Sequence, residues 1–206
     1  MITLFLAATL ASSTAADFFP LDVGTRWHYE ERVGRMATMH VDEVLAPVEI
    51  EGRTTMPIAS SLNGHVYETL YYRVEGDTVW LVAYGPKKLL ELPIPILKVG
   101  TGRIKWDYVG QTELANEPAN LSMKCESAPK GERTVLELIG RREVIELKVD
   151  AAVGGSAATG IQNKQTATYA KGIGLLEMRG EGKVGPTTTK FERKLVKFEP
   201  GKGASG

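Results

Sequence analysis

From Arg26 to Val33 polar and apolar side chains alternate. Arg26, His28, Glu30 and Arg32 interleave with Trp27, Tyr29, Glu31 and Val33. A period of two puts one charged and one mostly apolar face on a β-strand, which a helix cannot do. The same period recurs along the chain, with turn signals at intervals of roughly 8–12 residues, the spacing of short strands in an all-β fold. Asn63-Gly64 is a strong hairpin signal, because a type I′ turn needs positive φ at both central positions. Gly76-Asp77 joins a strand over 66–74 to another over 78–84 in the same way. Lys130-Gly131, Gly140 and Gly180-Glu181-Gly182 punctuate the later strands. The best helical candidate, Lys87 to Lys98, carries Pro93 and Pro95, which remove backbone donors and clash with a helical turn. It reads as an extended crossover between two halves of the sheet. The pattern therefore predicts an all-β chain of roughly 10–13 antiparallel strands, one curved, strongly twisted sheet or open half-barrel with little helix.

Ahead of these strands lies a different pattern. Ile2 to Ala11 is apolar apart from Thr3 and Thr9, and Ser12, Ser13, Thr14, Ala15 and Ala16 follow. An apolar run ending in small residues is an export leader, expected to be cut after Ala16 or Ala15. It is too short to stay as a membrane anchor, which needs about 20 apolar residues. No cysteine follows it that could be lipidated, so the expected product is periplasmic or secreted and not a lipoprotein. The expected organisation is a leader over 1–16, one β-rich domain over 17–199 and a disordered tail over 200–206. A weak echo divides the domain: Leu21-Asp22-Val23-Gly24-Thr25 with Trp27 and Tyr29 resembles Leu97-Lys98-Val99-Gly100-Thr101 with Trp106 and Tyr108. Two related half-sheets, 18–96 and 97–199, would account for it.

Charge and cysteine content narrow the classes. The 25 basic residues balance the 25 acidic ones. That balance argues against nucleic acid or an anionic membrane as main partner, since both reward a basic surface. The single cysteine, Cys125, alternates with Met123 between charged neighbours, which places it on an inward strand face as a packed thiol.

Two motifs carry a resemblance. Phe19-Pro20-Leu21-x-Val23-Gly24-Thr25-x-Trp27-x-Tyr29 after a leader, and Tyr169-Ala170-Lys171-Gly172-Ile173-Gly174-Leu175 before the last strands, resemble a group of uncharacterised exported bacterial β-rich proteins. That group is similar in pattern to the periplasmic lipoprotein-localisation carriers, half-barrels that wrap an apolar concavity. The resemblance implies a fold and a compartment, and more weakly an apolar ligand.

No catalytic constellation emerges. His28, His40 and His65 lack metal-ligand spacing, and His28 and His40 sit among polar residues as a solvated surface would place them, so no metal site is expected. Gly154-Gly155-Ser156-Ala157-Ala158 lacks the last glycine of a nucleophile elbow, and every histidine precedes it, so a loop over 154–160 is expected. Gly172-x-Gly174 is a turn and no cofactor is implied. The most suggestive segment is Val79 to Tyr84, apolar on both faces, with Leu70 to Val74 as hairpin partner. Such a strand must be covered on both sides. Leu70, Tyr72, Trp80 and Tyr84 are the residues expected to line a cavity if an apolar small molecule or lipid supplies that cover. The alternative is a structural or interaction module that meets a cell-envelope protein.

Overall fold

The computed structural model describes residues 13–114, 117–136, 139–155 and 158–202. Apart from a single helical turn, α1 (Ala15–Phe18), the regular structure is strand. The strands are β1 (Arg26–Val33), β2 (Met36–Val44), β3 (Val48–Ile50), β4 (Arg53–Leu62), β5 (His65–Glu75), β6 (Thr78–Tyr84), β7 (Lys88–Lys98), β8 (Ile104–Leu114), β9 (Glu117–Thr134), β10 (Arg141–Gly155), β11 (Ala158–Ala170), β12 (Gly174–Val184) and β13 (Thr187–Glu199). They form one antiparallel sheet in the order β7-β6-β5-β4-β2-β1-β13-β12-β11-β10-β9-β8, with β3 paired to β4. The all-β single-sheet reading holds, and the sheet curls into a nearly closed, barrel-like roll.

Three expectations are corrected. The crossover at Lys87–Lys98 is an edge strand, β7, laddered on β6. Pro93 and Pro95 are tolerated there because an edge strand leaves one side of its backbone unpaired. Lys130-Gly131 is not a turn between strands: both residues lie within β9, where the ladder to β10 skips between Glu143 and Ile145. Gly180-Glu181-Gly182 likewise lies inside β12.

The roll closes twice. At its middle the first and last strands pair, Trp27 opposite Phe198 and Glu31 opposite Arg193. At its seam the two free edges, β7 and β8, meet through side chains. Trp106 Nε1 donates to the Pro95 carbonyl at 3.2 Å, the Tyr108 hydroxyl to that of Leu92 at 2.9 Å, and Ser127 Oγ to that of Lys98 at 2.6 Å. These donors occupy carbonyls that an exposed edge would offer to another chain.

The two motifs singled out in the sequence form one clasp. Trp27 Nε1 donates to the Ile173 carbonyl at 2.5 Å and the Tyr29 hydroxyl to that of Leu175 at 3.1 Å. The Phe19 ring sits 5.1 Å from Tyr72 and 6.5 Å from Tyr169. Gly174 has φ +96, and a Cβ there would lie 3.3 Å from Trp27 Nε1. Gly174→Ala is therefore expected to cost about 2 kcal/mol, because the added methyl meets both a disfavoured backbone and the indole. An unchanged urea midpoint would contradict that reading of the clasp.

The inner face is filled by the chain itself. Val79, Leu97, Trp106, Cys125, Ile145, Leu147, Ala167 and Tyr169 pack with Ala15 and Phe18 of α1. The helix plugs one end of the roll: Ala15 N donates to the Gly76 carbonyl and Gly172 N to that of Asp17. Of the expected tail, Gly201 N donates to Thr25 Oγ1 and Lys202 N to the Val23 carbonyl, while residues 203–206 lie outside the described part. Of the leader expected over 1–16, residues 1–12 lie outside the described part, whereas Ala15 and Ala16 belong to α1 and Ala15 is buried.

Candidate functional site

The four residues expected to line a cavity do not share a wall. Tyr72 faces inward, packs on the clasp, and has its hydroxyl pushed well up by burial. Tyr84 also faces inward, beside Leu90, Ile94 and Tyr108, and Leu70 stands opposite it in the ladder. Trp80 belongs to a separate cluster with Ile50, Tyr71 and Val82. The short strand β3 supplies Ile50 and Val48 to that cluster, so the two-faced strand β6 is covered by protein there. Ladder bulges between Tyr71 and Tyr72 and between Leu81 and Ala83 help turn these side chains to different faces, which an alternation count cannot foresee.

A concavity of about 1030 Å³ lies on the charged face of β8–β13. Two rows of side chains run straight across the strands in register. The first is Asp107, Lys124, Asp150, Lys164, Glu181, Lys190, each directly opposite the next. The second is Lys105, Glu126, Lys148, Thr166, Arg179, Glu192, Arg32. Signs alternate at every step except at Thr166, so each charge faces its opposite across the ladder, the favourable arrangement for cross-strand pairs. All of these residues border the trough. Cys125, Val149, Gln165, Gly180 and Phe191 border it between the two rows, and a Cβ at Gly180 would strike the Lys164 carbonyl oxygen and the Phe191 ring. The trough is thus a self-neutralised, solvated surface, in which each exposed pair is worth about 0–1 kcal/mol. A transmembrane barrel presents apolar residues outward and polar ones inward; this half of the sheet does the reverse.

The densest chemistry lies at the β13-β1-β2-β4 junction, and the sequence reading missed it. Glu31, His40, Asp42, Ser60 and Arg193 come together there from those four strands. Arg193 Nη2 is 3.1 Å from Glu31 Oε2, and its Nη1 is 3.5 Å from Asp42 Oδ2. Ser60 Oγ donates to Asp42 Oδ1 at 2.6 Å. The guanidinium lies 5.4 Å from the centre of the Tyr29 ring. His40, expected at a solvated surface, is 3% exposed. Its Nδ1 is 3.3 Å from Glu31 Oε2, while Nε2 has no hydrogen-bond partner and stands 4.0 Å from Asp42 Oδ1. The correction has a simple cause. His40 is directly opposite Tyr29 in the β1–β2 ladder, so it shares the buried face. The visible signal was Glu31, a carboxylate in phase with Trp27 and Tyr29, which needed a partner inside.

Burial, helped by the Arg193 charge, holds the His40 imidazole below its usual range against the pull of Asp42 and Glu31. Glu68 is pushed up, by burial first and then by Asp42, with Arg193 opposing. Because His40 is harder to protonate folded than unfolded, its contribution to stability is complete above about pH 6.5 and is lost as the pH falls below that. Glu31, Asp42, Glu68, Tyr29, Tyr67 and Arg193 are the titratable groups around it. His40→Gln is expected to flatten the decline in urea midpoint between about pH 7.5 and 5.5, where carboxylates stay ionised. An identical decline in the variant would place its origin elsewhere.

As chemistry, this cluster is an ion network: an arginine answered by two carboxylates, with the Ser60 hydroxyl hydrogen-bonded to Asp42 and His40 beside it. Among the described residues no group of three or more His, Cys, Asp or Glu could hold a metal ion. Cys125 is buried, and burial pushes its thiol up to about 11. The loop expected over 154–160 is corrected: Gly154 and Gly155 end β10 and Ala158 opens β11, with Ser156 and Ala157 outside the described residues.

No protein-family model and no curated protein matches the chain. Among solved structures it is similar to a candidate lipoprotein from Parabacteroides distasonis ATCC 8503, with TM-score 0.50 and 11% identity over 88% of this chain and 98% of that one. A candidate exported protein with a YmcC-like fold from Bacteroides fragilis NCTC 9343 aligns with TM-score 0.45 and 10% identity over 89% and 99%. At such identities the first likeness speaks for the fold alone.

Proposed function

We propose that the protein is exported and acts as a non-catalytic interaction module that meets a cell-envelope partner with its outer surface. The observation that carries this reading is the filled inner face, in which α1, Trp106 and Tyr169 occupy the space a carried ligand would need. The export-type leader and the similarity to a candidate lipoprotein support a periplasmic or secreted location. The only cysteine, Cys125, is a buried residue of β9, which favours a soluble product over a lipid-anchored one.

A second reading, an apolar small molecule or lipid as ligand, is favoured by one feature. A cleft of about 340 Å³ between β8 and β11 is bordered by Val109, Leu121, Val153 and Ile161. Native mass spectrometry of the protein purified from its own envelope fraction, with organic extraction, separates the two. The interaction module runs at its polypeptide mass. A reproducible lipid adduct that disappears in Ile161→Asp would replace this reading with that of a carrier, and Tyr72 and Tyr84 would be the inward-facing members of the predicted set to test next.

A further inference from the structure

One position in the trough breaks its pattern. Thr166 stands in the second row between Lys148 and Arg179, directly opposite each of them in the ladders. Along β11 its neighbours on the same face are Lys164, of the first row, and Thr168. Alternation calls for an acid at this place, and every charged side chain next to it is a cation. Lys148 meets Glu146 only at 3.7 Å and Lys164 meets Asp150 only at 3.8 Å, beyond hydrogen-bond reach. The three cations are exposed, while Thr166 is half-buried where the trough meets a second concavity of about 370 Å³.

Acids stand one step further away, on the diagonals: Glu146, Asp150, Glu177 and Glu181. Each has cations of its own. Lys130 is 3.3 Å from Glu146, Arg133 pairs with Glu177 at 2.6 Å, Asp150 lies opposite Lys124 as well as Lys164, and Glu181 lies opposite Lys164 and Lys190. Side chains directly opposite are about 5 Å apart and diagonal ones about 7–8 Å. Coulomb energy falls with distance, and salt screens the further charges more. An array of alternating signs that lacks one anion is therefore positive at the empty place, whatever the sum over the surface.

We infer that the Thr166 position receives an acidic side chain, Asp or Glu, of a protein partner docked along the trough. The missing charge is single, and the four diagonal acids oppose a second one, so a carboxylate suits the place better than a doubly charged phosphate. Exposed ion pairs are weak, so a free carboxylate gains little there. One carried by a partner gains from the rest of the trough, whose alternating rows favour a surface of matching signs and fix its register. The Thr166 hydroxyl adds a hydrogen-bond donor at the centre. This inference rests on the reading of the protein as a module that works through its outer surface, and it names the site and the partner's chemistry.

The test titrates the isotope-labelled protein, purified after export, with acetyl-Gly-Glu-Gly-amide and with its Gln counterpart, and follows backbone amide shifts by NMR. Only the Glu peptide is expected to shift the residues around Thr166, with a Kd of roughly 10–100 mM that weakens with salt. Thr166→Glu places a carboxylate in the gap. It should not lower the urea midpoint and should weaken binding of the Glu peptide about threefold or more. Thr166→Gln, uncharged and of similar size, should leave that binding unchanged. Equal shifts with the Gln peptide, shifts spread evenly over the other lysines, tighter binding of inorganic phosphate, or undiminished binding to Thr166→Glu overturns the proposal. A midpoint lowered in Thr166→Glu but not in Thr166→Gln overturns it too, since the gap would then not be positive. A lipid adduct in native mass spectrometry would instead overturn the proposed function, so the two failures are distinguishable.

Discussion

Replacing Arg193 with methionine is expected to destabilise the protein by about 3 kcal/mol, near the lower end of what breaking a buried ion pair costs. The lower end applies because the guanidinium and its two carboxylates keep a little water contact. The cost arises less from lost attraction than from what remains. Without the guanidinium, Glu31 and Asp42 lose their shared counter-ion and are left beside His40, whose Nε2 has no hydrogen-bond partner. Two controls distinguish this account from simple loss of packing. The deficit should shrink as the pH is lowered toward about 4, where the stranded carboxylates can take up protons. The triple variant Arg193→Met/Glu31→Gln/Asp42→Asn should recover much of the loss, since amides need no counter-ion. Equilibrium urea unfolding of the three proteins provides the comparison. A deficit that is constant with pH and undiminished in the triple variant would mean that the methylene stem of Arg193, rather than its charge, is what the fold requires.

That cluster marks where sequence reading ran out. The fold class was legible because it depends on local signals: the period of two over Arg26–Val33, the Asn63-Gly64 turn, and the scarcity of helical pattern all act within a few residues. Cys125 was legible for the same reason, its strand phase alone placing it inside. His40 was not, because its face is set by registration against Tyr29 across a turn, and a slip of one residue would reverse it. Trp80 and Tyr84 were grouped as one wall by position along a strand, but ladder bulges around them intervene, and bulges leave little trace in composition. The charge ladders of the trough are a further case. Asp107, Lys124, Asp150 and Lys164 are spread over four strands, and only the register shows that they form a row. The two motifs read as turn and packing signals are packing elements, and the structure adds that they pack on each other.

The second large effect belongs to the plug. Phe18 is 2% exposed and Ala15 fully buried, both within the cluster that lines the inner face. Phe18→Ala is expected to cost about 3–4 kcal/mol, the transfer free energy of the ring plus the cavity left between α1 and the strands. The turn that presents Phe18 depends on residues ahead of it. Thr14 N donates to Asp17 Oδ2 at 2.7 Å, Ala15 N to the Gly76 carbonyl at 3.3 Å, and Lys171 Nζ to Ser13 Oγ at 3.0 Å. A chain beginning at Asp17 lacks all three contacts and the buried Ala15 methyl, and should be less stable than one beginning at Ser13 by about 2 kcal/mol. The small residues before Asp17 favour a cut at Ala16, whereas the packing of Ala15 favours a cut ahead of Ser13. Thermal melts of the two starts, set beside the intact mass of the exported protein, decide between them. If the exported chain begins at Asp17 and melts with the longer one, α1 holds through Phe18 alone. If it begins at Asp17 and melts lower, the plug is complete only in the precursor, and removing the leader loosens the closed end of the roll.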